Sequence, residues 1–272
     1  MSRFDTALQF VHEKLAEIQE NGKELRTSKS SLAKLVSTKP AAKNTAVDMA
    51  KSRPSPPPRP QSGGGDKAKR MDALRERALV CVKCEHLVKS RTQVVFGVGN
   101  IDAELMFVGE APGADEDLQG EPFVGKAGQL LTKIIEAMGF SRGDVYIGNV
   151  LKCRPDMPAC EPGNRKPRPD EMATCLPYLV EQIEIIQPRA MVALGATAME
   201  GLTGSKESMS RQRGRWHEFK GIPLMATYHP AYLLRNQSPS EKRKVWEDML
   251  MVLEKLGKPI SEKQRGYFLS RG

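Results

Sequence analysis

The sequence predicts an α/β protein with three layers, α/β/α, built on a mainly parallel central sheet of about four strands. Four short apolar runs alternate with segments of helical periodicity, which is typical of a parallel sheet covered by helices on both faces. The runs lie at residues 105–108, 145–150, 190–195 and 222–228. A polar, proline-rich stretch upstream predicts, in addition, a disordered N-terminal extension.

The first 70 residues differ in composition from the rest of the chain. They hold 14 Lys and Arg against 7 Asp and Glu, so most of the net charge of +9 lies there. Residues 1–26 predict an amphipathic helix, because apolar side chains recur at three- and four-residue spacing. Residues 27–70, rich in Pro, Gly and Lys, predict a disordered linker. This extension is a candidate docking segment for a protein partner, and nothing in its sequence identifies one.

The remaining chain predicts one globular domain, residues 71–260, and a short tail, 261–272. Apolar periodicity predicts helices at 130–138, 170–187, 196–202 and 240–256, and Pro177 predicts a kink or a late start in the second. No apolar run has the length of a membrane span, and the N-terminus lacks a signal-peptide core. We therefore expect a cytoplasmic monomer that does not associate with membranes.

Glycine-rich or polar residues follow each predicted strand. Glu110 follows the first strand, Asn149 closes the second, a turn at Gly195 ends the third, and His229 follows the fourth. Because the carboxyl ends of parallel strands meet at one edge of a sheet, we expect these residues to converge. Phe123, in a glycine-framed loop just downstream of the first strand, adds an aromatic ring. The sequence therefore predicts a binding crevice at this edge.

One alternative interpretation of the crevice is a phosphate-binding P-loop. Residues 120–126 fit G-x-x-x-x-G-K, but the next residue is Ala127, where the motif requires Ser or Thr to hold magnesium. Three acidic residues, 115–117, also lie just upstream and would repel a triphosphate. Nucleotide hydrolysis is therefore the weaker interpretation.

Five cysteines in a chain without a secretion signal favour a metal centre over disulfides. Cys81 and Cys84 form a C-x-x-C, whose short loop lets two thiolates bind one centre. Two further ligands would come from Cys153, Cys160 and Cys175. Four cysteines suit either zinc or an iron–sulfur cluster, and their spacing does not decide between them.

Basic residues flank the predicted fourth strand and its His229. Arg213 lies in the run RQRGR before the strand, and Arg235 follows it. Lys and Arg beside a crevice can bind the phosphates of a nucleic acid and orient it over the pocket. We therefore expect Arg213 and Arg235 to contact a nucleic acid.

Five motifs in collinear order, between about residues 71 and 256, resemble the iron–sulfur-containing uracil-DNA glycosylases, the fourth family of that superfamily. They are GEAPG at 109–113, GEPFVG at 120–125, GNVLKCRP at 148–155, NRKPRPDEMATC at 164–175 and RGRWH…ATYHPAYLLR at 213–235. The resemblance implies a [4Fe–4S] cluster on Cys81, Cys84, Cys153 and Cys175. The loop before Cys175 is longer than usual, with an insertion at 156–161, which keeps Cys160 an alternative fourth ligand.

The same resemblance implies that uracil is rotated out of DNA into the crevice and its bond to deoxyribose is hydrolysed. Phe123 would stack on the uracil ring and Asn149 would pair with its N3–H and O4. His229 would donate to O2, where charge builds as uracil leaves, and backbone N–H groups around Ala111 would complete that anion pocket.

Glu110 has three candidate roles under this resemblance. It positions water, stabilises the sugar cation, or crowds C5 of the base and excludes thymine. The loop between the second strand and the following helix contains no His, so we do not expect covalent capture of the product. No second nucleophile that would cleave the abasic site is evident, so we expect a monofunctional enzyme. A non-catalytic iron–sulfur protein that binds nucleic acid is the alternative from a different class.

Overall fold

A computed structural model describes residues 64–155, 157 and 163–269. Within them the strands are β1 (Val98–Gly99), β2 (Leu105–Gly109), β3 (Tyr146–Asn149), β4 (Ala190–Leu194), β5 (Trp216–Phe219) and β6 (Ile222–Thr227). The helices are α1 (Gly64–Leu79), α2 (Glu85–Ser90), α3 (Ala114–Gln119), α4 (Lys126–Ala137), α5 (Pro169–Ile186), α6 (Ala196–Thr203), α7 (Met209–Gln212), α8 (Pro230–Arg235), α9 (Pro239–Leu256) and α10 (Glu262–Arg265). The predicted helix at 1–26, and Cys160, lie outside the described residues.

The strands form one six-stranded sheet in the order β1-β3-β2-β4-β6-β5. The four central strands are parallel and are the four that the sequence predicts. Both edge strands, β1 and β5, pair antiparallel and were not predicted. A two-residue strand carries no periodic signal, and β5 is a four-residue strand that directly follows the basic run RQRGR. The sheet is therefore mixed, with a parallel centre.

Alternating side chains of β2 divide the core into two layers. Leu105 and Phe107 face one side of the sheet, where α4 and α9 cover them. Met106 and Val108 face the other side, where α1, α5 and α6 pack. The predicted three-layer α/β/α architecture is confirmed.

The four predicted helices correspond to α4, α5, α6 and α9, and Pro177 lies inside α5. The N-terminal boundary differs from the prediction, because α1 begins at Gly64 and residues 64–70 of the predicted linker are helical. Composition placed this segment with the linker, but α1 is fixed by tertiary packing: its apolar residues Met71, Leu74 and Ala78 are buried in the core. No helix in the described part of the chain has the length and apolar character needed to cross a membrane.

Candidate active site

The carboxyl ends of β2 and β3 form the floor of the predicted crevice. Gly109 and Asn149 are paired neighbours on these two strands. A Cβ at Gly109 would overlap Oδ1 of Asn149 and would lie 2.5 Å from Cζ of Phe123. Because Gly109 has no side chain, the amide of Asn149 and the ring of Phe123 can both approach its Cα.

The amide of Asn149 is only 2% exposed, yet it is not satisfied within the protein. Its Oδ1 is one of three buried side-chain polar atoms in the described residues that have no hydrogen-bond partner. A buried acceptor without a partner costs free energy, so such atoms call for an explanation. A ligand with a donor at this position would supply the missing hydrogen bond.

Phe123 is held in an unusual backbone conformation, with φ of 56°. Positive φ is disfavoured for residues other than glycine and persists only where the surroundings enforce it. Gly128 in α4 is one such constraint, because a Cβ there would overlap the backbone carbonyl of Phe123. The ring of Phe123 lies 5.6 Å from that of His229, centroid to centroid, at an interplanar angle of 32°. The ring of Phe123 therefore lies close both to Asn149, across Gly109, and to His229.

Glu116 in α3 connects the two glycine-rich loops. Its Oε2 accepts the N–H of Gly113 at 3.0 Å, in the first loop. Its Oε1 accepts the N–H groups of Val124 and Gly125 at 3.0 and 3.1 Å, in the loop that carries Phe123. Two N–H groups of the P-loop-like segment are thus already occupied by a carboxylate, which argues further against phosphate binding there.

His229 follows β6 and caps the N-terminus of α8. Its Nδ1 accepts the N–H of Ala231 at 3.1 Å. In a neutral imidazole this places the proton on Nε2, which is then the donor. Burial, together with the nearby charge of Arg235, lowers the pKa of His229 to about 4. His229 is therefore a neutral hydrogen-bond donor at physiological pH.

Glu110 follows β2 at the same edge, with its carboxylate directed to the first turn of α6. Burial raises the pKa of Glu110, while a hydrogen bond from Thr197 and the charge of Lys166 oppose that rise. Its backbone carbonyl accepts the N–H of Leu151, which fixes the start of the loop. Glu110 is thus a carboxylate in a poorly solvated place, with a pKa above its ordinary value.

Ala111 and Gly195 also lie where the strand order predicts them. Ala111 packs against an apolar cluster that includes Cys153 and Cys175, next to the predicted metal centre. Gly195 has φ of 95°, and a Cβ there would lie 3.1 Å from Cβ of His229. A side chain at Gly195 would therefore displace His229.

The four cysteines of the described residues come from four places and converge. Cys81 follows α1, Cys84 caps α2, Cys153 follows β3 and Cys175 lies in α5. Cys153 and Cys175 are buried in one apolar cluster, and Cys84 packs against it. Burial raises the pKa of Cys84, and the charges of Cys153 and Cys81 raise it further. None of these four forms a disulfide.

Two of these sulfur atoms, those of Cys153 and Cys175, accept hydrogen bonds. The guanidinium of Arg91 donates to Sγ of Cys153 at 3.0 Å and to the carbonyl of Cys81 at 2.8 Å. The backbone N–H of Lys152 donates to Sγ of Cys175 at 3.2 Å. Such donors stabilise thiolates, which are the form that binds metal.

The positions of the four cysteines fit an iron–sulfur cluster better than a single metal ion. Within the described part of the chain, no three side chains of His, Cys, Asp or Glu are grouped to hold one metal ion. The cysteines of a four-iron cluster each bind a different iron atom, so their sulfurs stand further apart than ligands of one ion. The donor set, four thiols in a largely apolar pocket, fits such a cluster.

The two predicted DNA contacts have different surroundings. Arg235 is exposed at the end of α8. The side chain of Arg213 is 15% exposed and forms an ion pair with the fully buried Asp248 at 2.8 Å. Asp248 also accepts the hydroxyl of Thr227 at 2.7 Å, and burial raises its pKa to about 6. The guanidinium of Arg213 is engaged inside the protein, and its contact with DNA stays a prediction.

Two residues important for the geometry were not identified from the sequence. Glu116 has a recognisable signal, because it lies three residues after Gly113, at the capping-box position of α3. Arg91 has no local signal, since it reaches Cys153 across 62 positions of the chain.

Comparison with known proteins identifies the family. Residues 96–250 match the profile of the uracil DNA glycosylase superfamily. The type-4 uracil-DNA glycosylase of Thermotoga maritima is 47% identical over 182 residues, which are 66% of this chain and 91% of that protein. The type-4 enzyme of Archaeoglobus fulgidus is 43% identical over 190 residues, 65% and 92% of the two chains. That of Saccharolobus solfataricus is 41% identical over 201 residues, 70% and 89%. The chain belongs to the uracil-DNA glycosylase superfamily, in the type-4 family.

The buried ion pair between Arg213 and Asp248 should contribute to the free energy of unfolding. Arg213→Ala would leave Asp248 buried without its cation, so we expect the free energy of unfolding in urea to fall by about 3 kcal/mol. Arg215→Ala is the matched control, because Arg215 pairs with Glu207 at the surface and its loss should cost less than about 1 kcal/mol. Equal stability of the two variants would contradict the structural role of Arg213.

Proposed function

We propose that the protein hydrolyses the N-glycosidic bond of deoxyuridine in DNA and that Asn149, Phe123, His229 and Glu110 carry the reaction. Uracil and an abasic site are the products, which is the first step of base-excision repair. Membership of the type-4 family supports the activity. The unsatisfied Oδ1 of the buried Asn149, beside an aromatic ring, is the observation that supports these residue roles.

Base recognition rests on Asn149 and Phe123. Oδ1 of Asn149 accepts the N3–H of uracil, and its amide N–H₂ donates to O4. Cytosine presents an acceptor at N3 and a donor at N4, so it would leave the buried amide facing groups of the same polarity. Phe123 stacks on the flipped base, an interaction worth about 1–3 kcal/mol.

His229 stabilises the leaving group. As the bond to C1′ breaks, the electron pair moves onto uracil and negative charge develops on O2. The Nε2–H of the neutral His229 donates to that oxygen, and backbone N–H groups around Ala111 would complete the anion pocket. A donor of this kind contributes about 3–4 kcal/mol to transition-state stabilisation.

Glu110 acts at the sugar. Its carboxylate positions the water that attacks C1′ and accepts a proton from it, and its negative charge stabilises the cationic sugar. The raised pKa of Glu110 suits a base, because a carboxylate of ordinary pKa is a poor proton acceptor at neutral pH.

The four convergent cysteines, Cys81, Cys84, Cys153 and Cys175, would hold a [4Fe–4S] cluster. The apolar pocket, the donors to the sulfurs and the burial of Cys175 with Cys153 support this set. When bound, the cluster joins segments that are distant in sequence, and it takes no part in base release. Arg213 and Arg235 would contact DNA phosphates, Arg235 from an exposed position.

Three further expectations rest on the sequence alone. They are a monomeric state, a cytoplasmic location and a protein partner for residues 1–70.

A uracil-release assay tests the function. The protein is incubated with an oligonucleotide containing one uracil, and alkali then cleaves any abasic site. We expect the wild-type protein to yield cleaved strands. Single-turnover rates should be at least about tenfold lower for Asn149→Ala and His229→Ala, because each variant loses a transition-state contact of about 1.4 kcal/mol or more. Salt-dependent DNA binding without cleavage would instead support the non-catalytic alternative.

The pH dependence tests the proton states. His229 stays neutral above a pKa of about 4, so its protonation should not limit the rate near pH 6.5, roughly the ordinary histidine value. Glu110 must be ionised, so the rate should fall as pH drops through its raised pKa, and Glu110→Gln should be slow and lack this acid limb. A limb near pH 6.5 that disappears in His229→Gln would contradict the neutral histidine. Release of thymine by Glu110→Gln would favour the role in thymine exclusion.

Substitution of cysteine tests the cluster. Purified without oxygen, the wild-type protein should contain iron and acid-labile sulfide and absorb visible light, and Cys175→Ala should lose most of all three. Cys160→Ala is the control and should retain them, because Cys160 is not in the proposed ligand set. The reverse result would transfer the fourth ligand to Cys160, and zinc in place of iron would contradict the cluster.

A further inference from the structure

We propose that Asp117 is a positioning residue for uracil excision, because it fixes helix α3, which holds the base pocket, to the segment that holds the cysteine centre. This inference rests on the proposed function. It assigns a role to a buried acid that contacts neither the base nor the cysteines.

Asp117 is 3% exposed and has both carboxylate oxygens occupied. They accept the N–H of Thr92 at 3.0 and 2.9 Å, and Oδ1 also accepts the N–H of Gln93 at 3.5 Å. An ionised carboxylate accepts on both oxygens, which no other side chain of this size does. Asp117 therefore joins α3 to residues 92–93.

Gln93 makes a second connection, to the residue that follows Asp117 in α3. Its Nε2 donates to the carbonyl of Leu118 at 2.8 Å. A Cβ at Gly120, where α3 ends and the loop of Phe123 begins, would lie 2.6 Å from Oε1 of Gln93. Residues 92–93 thus hold α3 along its last turn.

The preceding residue, Arg91, belongs to the cysteine centre. It donates to Sγ of Cys153 and to the carbonyl of Cys81. Residues 91–93 therefore touch the cysteines on one side and α3 on the other, through consecutive positions of the chain.

Glu116, next to Asp117 in α3, faces the base pocket. Its three hydrogen bonds hold Gly113 and the loop that keeps Phe123 at positive φ. Two adjacent acids on one short helix thus have opposite partners: Asp117 binds the cysteine-side segment, and Glu116 binds the loops of the base pocket. Loss of the Asp117 bonds would leave the helix that carries Glu116 attached to residues 92–93 by the side chain of Gln93 alone.

Asp117→Asn tests this link with little change in size. An amide retains one acceptor but turns an N–H₂ group toward a backbone N–H, so one of the bonds to Thr92 is lost. The control is Asp72→Asn, which removes the same charge from an exposed position in α1. We expect kcat/KM for uracil release to fall by about tenfold, as for the loss of one buried hydrogen bond.

Hydrogen exchange separates positioning from general destabilisation. In Asp117→Asn, exchange of the amides at 120–125 should accelerate by about tenfold, while the iron content and the exchange of the central strands stay at the wild-type level. Asp72→Asn should match the wild type in every measurement. Wild-type exchange at 120–125 together with wild-type kcat/KM in Asp117→Asn would overturn the proposal.

Gln93→Ala provides a second test if Asp117→Asn does not fold. Gln93 is exposed, so its truncation should be tolerated, and the same acceleration at 120–125 is expected from the loss of its bond to Leu118. Unchanged exchange there would refute the link. If the wild-type protein releases no uracil, the proposed function is refuted, but the connection between α3 and residues 92–93 is not. The exchange measurement tests that connection independently of activity.

Discussion

The carboxylate of Glu116 accepts hydrogen bonds from three backbone N–H groups that belong to two separate loops. The rest of the candidate site depends on this interaction, because it sets the distance between the GEAPG turn after β2 and the loop that carries Phe123. The ring of Phe123 lies over Gly109 in a conformation that the loop does not favour by itself. Hydrogen bonds from backbone N–H groups to a charged carboxylate are among the stronger ones in proteins. Here the carboxylate of Glu116 occupies N–H groups that would bind phosphate in a P-loop.

Burial affects two polar side chains of this site, His229 and Asn149, in different ways. It keeps His229 neutral, and the backbone N–H of Ala231 fixes the tautomer that leaves Nε2–H free. It also makes the missing partner of Asn149 Oδ1 costly until a donor arrives. These properties support the proposal that the site binds an uncharged planar ring with an N–H flanked by carbonyl oxygens, as in uracil.

The sequence predicts the central sheet well because periodicity and apolar runs report burial directly. It predicts that Glu110, Asn149, the Gly195 turn and His229 lie at one edge because parallel strands share one carboxyl edge. The edge strands β1 and β5 are not predicted from the sequence, because they are short or only half-buried. Arg213 shows a second limit: an arginine in a basic run was expected at the surface, but its partner Asp248 lies 35 positions away. Contacts of this kind depend on tertiary packing, which no local pattern encodes.

A crystal structure of the protein with bound uracil tests the central claim most directly. The account predicts the base against the ring of Phe123, with N3–H within hydrogen-bond distance of Asn149 Oδ1 and O2 within that distance of His229 Nε2. Electron density for uracil away from Gly109, or a base that leaves Asn149 Oδ1 without a partner, would contradict it.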